Sequence, residues 1–240
     1  MNLCHSRIPK VLAFYLGLIL LASIPAVCQN TLGIDLGQTT DKFGSLNSNS
    51  ALEAMLDGRF NILHGSGKEG APNIVIGGEI RYPEDTSTHA RELAVFGGPE
   101  FQFGNFSIGF HGQVRKIYQP ISAVDGLTFV RNNLLLLELP VVAQYKFGPG
   151  HRVFVRGEGI SEFNPRYSKS NNGISTFPNP KLDHGYSFRG TLGYNLPVQH
   201  WYIKASYETR YFKFAQNGGN PEGLDNWRSD QITGGVGFIF

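Results

Sequence analysis

The feature that most constrains this chain is a period-two alternation of apolar and polar residues along much of its 240 residues. In the stretch 52–62, the even-numbered positions are apolar or small, whereas the odd-numbered ones include Glu53, Asp57 and Arg59. Successive side chains of a β-strand point to opposite faces, so the pattern predicts strands with one apolar and one charged face. Similar alternation predicts strands at 73–82, 91–103, 106–118, 134–147, 152–163, 186–196, 201–211 and 232–240, with a weaker one at 31–37.

Composition favours the same all-β interpretation. The chain contains 30 glycines, and 12% of its residues are aromatic. The aromatic content argues against intrinsic disorder, and the glycine content argues against a helical bundle.

The N-terminus predicts a secretory signal peptide at 1–28, followed by a single domain at 29–240. A positively charged start is followed by an apolar run at 11–23, and small residues lead to a cleavage site after Cys28. A membrane-anchoring helix is the alternative, but the run is short of the roughly 20 residues needed to span a bilayer. A lipoprotein cleaved before Cys28 is a further alternative.

The predicted connections alternate between short turns and longer polar segments. The short ones include Gly104-Asn105 and 148–150, and they define a short-turn rim of the sheet. The opposite, long-loop rim would carry the polar segments 38–50, 83–90, 119–133, 164–185 and 212–227. Transmembrane barrels have this asymmetry, and their strands must close on themselves because hydrocarbon offers no hydrogen-bond partners.

These features predict a closed antiparallel up-and-down transmembrane β-barrel. Nine strands can be counted from the C-terminus, but both termini should lie on the same side, which requires an even number. Adding 31–37 gives ten strands, the preferred number, and dropping 52–62 gives eight.

Outward aromatic residues should gather at two levels, where the barrel crosses the two membrane interfaces. The predicted interface aromatics are Phe60, Phe106, Tyr194 and Trp201 near the short-turn rim, and Tyr82, Tyr118 and Tyr211 near the long-loop rim.

The end of the chain alternates in the same way and finishes on an aromatic residue, with Ile232, Gly234, Val236, Phe238 and Phe240 on one face. With the strand pattern, this resembles the small bacterial outer-membrane β-barrels of the OmpA/OmpX-like or opacity-protein type. The resemblance implies outer-membrane localisation and contact with outer-membrane lipid and lipopolysaccharide. It also implies interaction with periplasmic chaperones and the barrel assembly machinery during biogenesis. It also implies that the C-terminal residues are the assembly signal. We expect a monomer, no nucleic-acid partner and no periplasmic domain after Phe240.

Charged residues of both signs fall on the inward face in equal number. Those singled out are Glu53, Arg59, Glu79, Arg81, Arg115, Arg156, Glu158, Arg189, Glu208 and Arg210. A barrel of eight to ten strands has an interior mostly filled by side chains, and buried charges are tolerable there only when paired. We therefore expect a cross-linked polar plug, with a narrow ion path as the alternative.

Candidate chemical motifs are weak, and no catalytic, cofactor-binding or metal-binding residue is predicted. The glycine pattern at 65–70 lacks the helix that a dinucleotide site needs after it. Acidic residues lie near His89 and His184 at the long-loop rim, and His111 faces inward. The predicted function is a non-enzymatic structural or surface-interaction role through the long loops. A narrow passive channel is the alternative, and a lipid A hydrolase or protease is less favoured.

Overall fold

The described part of the chain is almost entirely β-strand. The structure is a computed structural model that describes residues 30–44, 48–63, 65, 69–86, 89–122, 129–170, 182–197, 200–214 and 226–240. The predicted signal peptide lies outside these residues. The strands are β1 (Thr31–Phe43), β2 (Asn49–Leu63), β3 (Pro72–Pro83), β4 (Arg91–Phe103), β5 (Phe106–Phe110 and Gly112–Ser122), β6 (Phe129–Phe147), β7 (Val153–Ser170), β8 (Leu182–Asn195), β9 (Trp201–Phe214) and β10 (Asn226–Ile239).

The ten strands form one closed antiparallel barrel. Each strand pairs with its neighbours in sequence, and β1 pairs with β10 from Thr31 opposite Ile239 to Phe43 opposite Trp227. The ends are also joined, because the backbone N–H groups of Asn30 and Phe240 each donate to the other's carbonyl at 3.0 Å. The predicted closed barrel of ten strands, with 31–37 as the first, is confirmed.

Strand β5 is interrupted at His111, although its pairing register is the same on both sides of the break. The interruption lies opposite Pro140 of β6, whose carbonyl accepts a 3.0 Å hydrogen bond from the His111 backbone. Proline has no N–H to return, so the ladder cannot continue through this pair.

The outer surface is apolar and the interior is charged. Leu36, Leu52 and Ile232 each expose more than 60% of their surface on the outside. Glu79, Arg81, Arg115 and most of the other inward charges are buried or half-buried. Such an inversion of the usual soluble arrangement is stable when hydrocarbon surrounds the barrel.

Several strands extend further towards the long-loop rim than the alternation predicts. β1 continues to Phe43, β6 begins at Phe129, and β7 runs to Ser170. The predicted loops 38–50, 119–133 and 164–185 are therefore partly strand. Outside the hydrocarbon both faces of a strand can be polar, so the sequence loses its alternation while the backbone pairing continues.

The connections at the short-turn rim are tight, as predicted. Gly104 has φ of 55°, and the turn between β6 and β7 has Gly148 at 79° and Gly150 at 66°, values that glycine adopts without strain. A one-turn 3₁₀ helix at Pro149–His151 lies in that turn. No helix among the described residues is long and apolar enough to cross a membrane.

Candidate functional site in the barrel lumen

The lumen contains a network of four arginines and four glutamates in its long-loop half, which we call the charge network. Its members are Glu79 and Arg81 on β3, Glu92 on β4, Arg115 on β5, Glu138 on β6, Arg189 on β8, and Glu208 and Arg210 on β9. Alternation along the strands turns each of these side chains inward, and closure of the barrel brings them together across the lumen.

Each arginine of the network contacts at least two carboxylates. Arg81 donates to Glu79 and Glu208, both at 2.6 Å. Arg115 lies 2.8 Å from Glu92 and 3.1 Å from Glu138. Such shared, charge-assisted contacts satisfy groups that would otherwise be costly to bury.

The remaining two arginines link the same carboxylates from the other wall. Arg189 lies 2.6 Å from Glu208 and 2.8 Å from Glu79. Arg210 binds both oxygens of Glu92 at 2.6 Å and also contacts Glu208. Glu208, Glu79 and Glu92 are each shared by three guanidinium groups, and the contacts of Glu208 are the shortest of the three sets.

An apolar layer lies above the charge network, towards the long-loop rim. It consists of Ile117, Leu136, Phe212 and Trp227, all of which have no solvent exposure. Phe212 and Trp227 stack with ring centroids 4.7 Å apart. The Trp227 indole donates a 3.1 Å hydrogen bond to the buried carboxylate of Asp41.

A cavity of about 730 Å³ occupies the short-turn half of the lumen. Turn residues such as Glu69 and Asn105 line it at the short-turn rim, and Glu79, Arg115 and Arg189 of the charge network line its other end. The described lumen is therefore an open chamber on one side and a filled core on the other.

The wall of the cavity carries two further groups of charges. Glu100 contacts Arg59, and its other oxygen lies 3.1 Å from His111 Nε2. On the opposite side, Lys204 lies 2.9 Å from Asp35 and 2.5 Å from Asp57.

Three inward aromatic rings lie flat against the barrel wall because each faces a glycine on the next strand. The pairs are Phe96 with Gly77, Phe154 with Gly193, and Tyr202 with Gly237. A Cβ atom added at Gly193 would lie 2.0 Å from the Phe154 ring, and one at Gly237 would lie 2.1 Å from Tyr202. The glycines thus give the rings room at the wall and keep the cavity open.

The ten predicted lumen charges all lie on the inner face. Six belong to the charge network: Glu79, Arg81, Arg115, Arg189, Glu208 and Arg210. Glu53 contacts Gln231, which in turn accepts a hydrogen bond from Arg81. Glu158 lies at the edge of the network, 3.8 Å from Arg156 and 3.9 Å from Arg189, and Arg59 and Arg156 line the cavity.

The predicted interface aromatics lie on the outer face near the strand ends, and their contact with lipid stays a prediction. Phe106 and Trp201 begin their strands and Tyr194 nearly ends its own at the short-turn rim, where Phe60 lies 6.1 Å from the Phe240 ring. Tyr82, Tyr118 and Tyr211 lie towards the long-loop rim.

The five C-terminal positions lie on the outer face of β10 and just beyond it. Ile232 and Val236 are exposed, and Phe238 packs 5.2 Å from Trp201. Gly234 lies between them, and Phe240 follows the strand. Their role as an assembly signal stays a prediction.

The weaker motifs do not form a recognisable catalytic group. The described part of the glycine pattern at 65–70 belongs to the turn between β2 and β3. Asp183 and His184 form a 3.1 Å pair, but both side chains are about half exposed at the long-loop rim. His89 is buried, with its backbone bonded to the Asp85 carbonyl. Among the described residues no group of three or more histidine, cysteine and acidic side chains could hold a metal ion.

Sequence reasoning missed several residues of the lumen. Asp35 and Asp41 are buried charges of β1. The sequence of this strand shows only a weak alternation, in which leucine and isoleucine alternate with glycine and Asp35. The apolar layer was also missed, although Ile117 and Phe212 share the inward parity of Arg115 and Arg210. The parity alone could have placed these residues inside.

A closed barrel with an apolar exterior and a paired charge core defines a transmembrane β-barrel of the outer-membrane type. No protein-family model and no curated protein matches the sequence.

Solved structures with a similar fold include three bacterial surface proteins. Neisserial surface protein A aligns over 89% of this chain and 99% of its own, with 12% identity and a TM-score of 0.44. The outer-membrane protease OmpT from Escherichia coli aligns over 89% and 96%, with 11% identity and a TM-score of 0.44. The attachment invasion locus protein Ail of Yersinia pestis aligns over 88% and 98%, with 13% identity and a TM-score of 0.32. Likenesses this distant bear on neither activity nor partners.

Proposed function

We propose that the protein is a non-catalytic outer-membrane barrel that interacts with other molecules through its long-loop rim. The observation that carries the proposal is the filled lumen. The cavity ends at Glu79, Arg115 and Arg189, and the rest of the charge network and the apolar layer lie beyond that end. A passive channel would need these buried, multiply bonded groups to separate.

The long-loop rim supports the surface-interaction part of the proposal. β6 and β7 have 19 and 18 residues, whereas about 9–11 residues are enough to cross the hydrocarbon. Their pairing continues to Arg131 opposite Ser170, well above the level where β8 ends its pairing at Ser161 opposite Tyr186. A raised sheet of this kind gives partners outside the membrane access to its paired strands.

Outward cations near the long-loop rim support contact with the phosphates of outer-membrane lipid, including lipopolysaccharide. Lys42, Arg91, Lys116 and Lys213 are exposed there, and the Lys116 ammonium lies 4.6 Å from the centre of the Tyr118 ring. Long basic side chains at this level can reach phosphates while their stems cover apolar surface. Chaperone-assisted delivery, insertion by the assembly machinery and a monomeric state belong to the same proposal.

Two measurements on the purified barrel test the proposal against its alternatives. In planar bilayers we expect no conductance steps, and regular steps in the wild-type protein would support a channel instead. Incubation with lipid A and with peptides should give no cleavage, and cleavage lost in His184→Ala would support an enzyme.

The surface role is tested on intact cells. Adhesion to immobilised matrix and serum proteins should increase when cells produce the barrel. Replacement of 171–181 by a short Gly/Ser linker should abolish that increase while the amount of folded barrel in the membrane is unchanged. Equal adhesion by producing and non-producing cells would contradict the proposal.

A further inference from the structure

We propose that the cavity in the short-turn half of the lumen is a binding site for a small organic anion. Short turns of such barrels face the periplasm, so the ligand would enter from that side. The cavity volume of about 730 Å³ lies within the range of roughly 300–1,000 Å³ found for ligand pockets.

The anion is inferred from how differently the lumen arginines are paired. Every arginine of the charge network has carboxylate oxygens within 2.8 Å. Arg156 lines the cavity with its side chain 25% exposed. Within the described residues its carboxylate contact is Glu158 at 3.8 Å, and Glu158 also lies 3.9 Å from Arg189.

Two other cations, Arg59 and Lys146, line the same cavity as Arg156. Glu100 is the carboxylate nearest to Arg59, and it is shared with His111. The carboxylates that line the cavity nearly balance its cations, so an anion would be held at Arg156, whose own carboxylate contact is distant.

Of the five carboxylates that line the cavity, Asp57, Glu79 and Glu100 each contact a cation other than Arg156. Asp35 and Asp57 lie on β1 and β2, and both contact Lys204, at 2.9 and 2.5 Å. Lys204 therefore offsets part of the negative charge of these two carboxylates.

The body of the ligand is inferred from the aromatic wall. Phe154 lies two residues before Arg156 on β7 and shares its inward face, and its ring packs edge-on against Tyr202 with centroids 6.2 Å apart. These rings lie flat because Gly193 and Gly237 face them. An acid group at Arg156 would therefore place an apolar or planar body beside Phe154 and Tyr202.

Calorimetric titration of the full barrel in nanodiscs tests this inference with phenyl phosphate as the probe. Binding should be measurable at millimolar probe or below, and Arg156→Gln should weaken it about tenfold, equivalent to about 1.4 kcal/mol. Arg228→Gln is the matched control, because it removes the same charge from an outward side chain that is 57% exposed, and it should leave the affinity unchanged. Inorganic phosphate should bind more weakly than phenyl phosphate, and phenyltrimethylammonium should not bind.

A second variant tests the binding site without changing its charge. Gln144 lines the cavity directly opposite Arg156 on the neighbouring strand, so Gln144→Trp should fill the space and abolish binding. Heat-dependent gel migration should match the wild type for every variant, which shows that the barrel is folded. The proposal is overturned if the wild type fails to bind phenyl phosphate, if Arg156→Gln and Arg228→Gln bind equally well, or if the cationic probe binds more tightly.

Discussion

Glu208 makes the shortest set of arginine contacts in the charge network, and Glu208→Gln should destabilise the barrel strongly. In the wild type Glu208 lies 2.6 Å from both Arg81 and Arg189 and also contacts Arg210. The substitution keeps the shape of the side chain but leaves three buried guanidinium groups around a neutral amide.

The size of the effect follows from the cost of removing one partner of a buried ion pair, about 3–5 kcal/mol. In this variant Arg81 and Arg189 both still contact Glu79. Arg210 still contacts Glu92. Since each arginine retains a carboxylate, we expect a loss of about 3 kcal/mol in the free energy of unfolding, at the lower end of that range.

Urea unfolding of the barrel in lipid vesicles, followed by tryptophan fluorescence, measures this loss. Glu84→Gln is the control, because its side chain is exposed at the end of β3, and it should change stability by less than about 0.5 kcal/mol. The double variant with Arg210→Gln should lose less than the sum of the two single variants, because the two side chains contact each other. A loss below about 1 kcal/mol for Glu208→Gln would refute the view that the network is dry and tightly paired.

Other predictions test the wall, the fold and its assembly. Gly193→Ala should lower the free energy of unfolding by about 1–2 kcal/mol, because its Cβ would force the Phe154 ring off the wall. Gly157→Ala, whose Cβ would meet no atom within 4 Å, should be nearly neutral in the same urea titration. Phe240→Ser should reduce the amount of folded barrel in membrane fractions, and an unchanged yield would contradict a role in assembly. Unboiled protein should migrate differently from boiled protein on a detergent gel, and identical migration would count against a closed barrel.

The period-two alternation was sufficient to predict the fold and the inward position of the charged side chains. Glu79 and Arg81 are separated by two residues on one strand, so parity alone places both inside. The number of strands was predicted from the requirement that both termini lie at the same rim, because this requires an even number. The weak alternation at 31–37 was therefore counted as the tenth strand. Strand ends were less predictable, because the upper parts of β6 and β7 are no longer selected for an apolar face.

The contacts within the lumen could not be predicted from parity. Arg81 meets Glu208 across 127 positions of sequence, and that meeting depends on the stagger of the strands and on the barrel diameter. The division of the lumen into an apolar layer, a charge network and a cavity also depends on the stagger of the strands and on the barrel diameter. Small residues opposite large rings, such as Gly193 opposite Phe154, determine where space remains.

The pairing of β1 with β10 has a consequence for the order of events in biogenesis. Thr39 and Ser229 are neighbours in the finished ring although 190 positions separate them along the polypeptide. Until the last strand has been made and placed beside it, the first strand has no second partner. Both edges are then open to unrelated chains. A molecule truncated before Asn226 would therefore retain two such edges indefinitely.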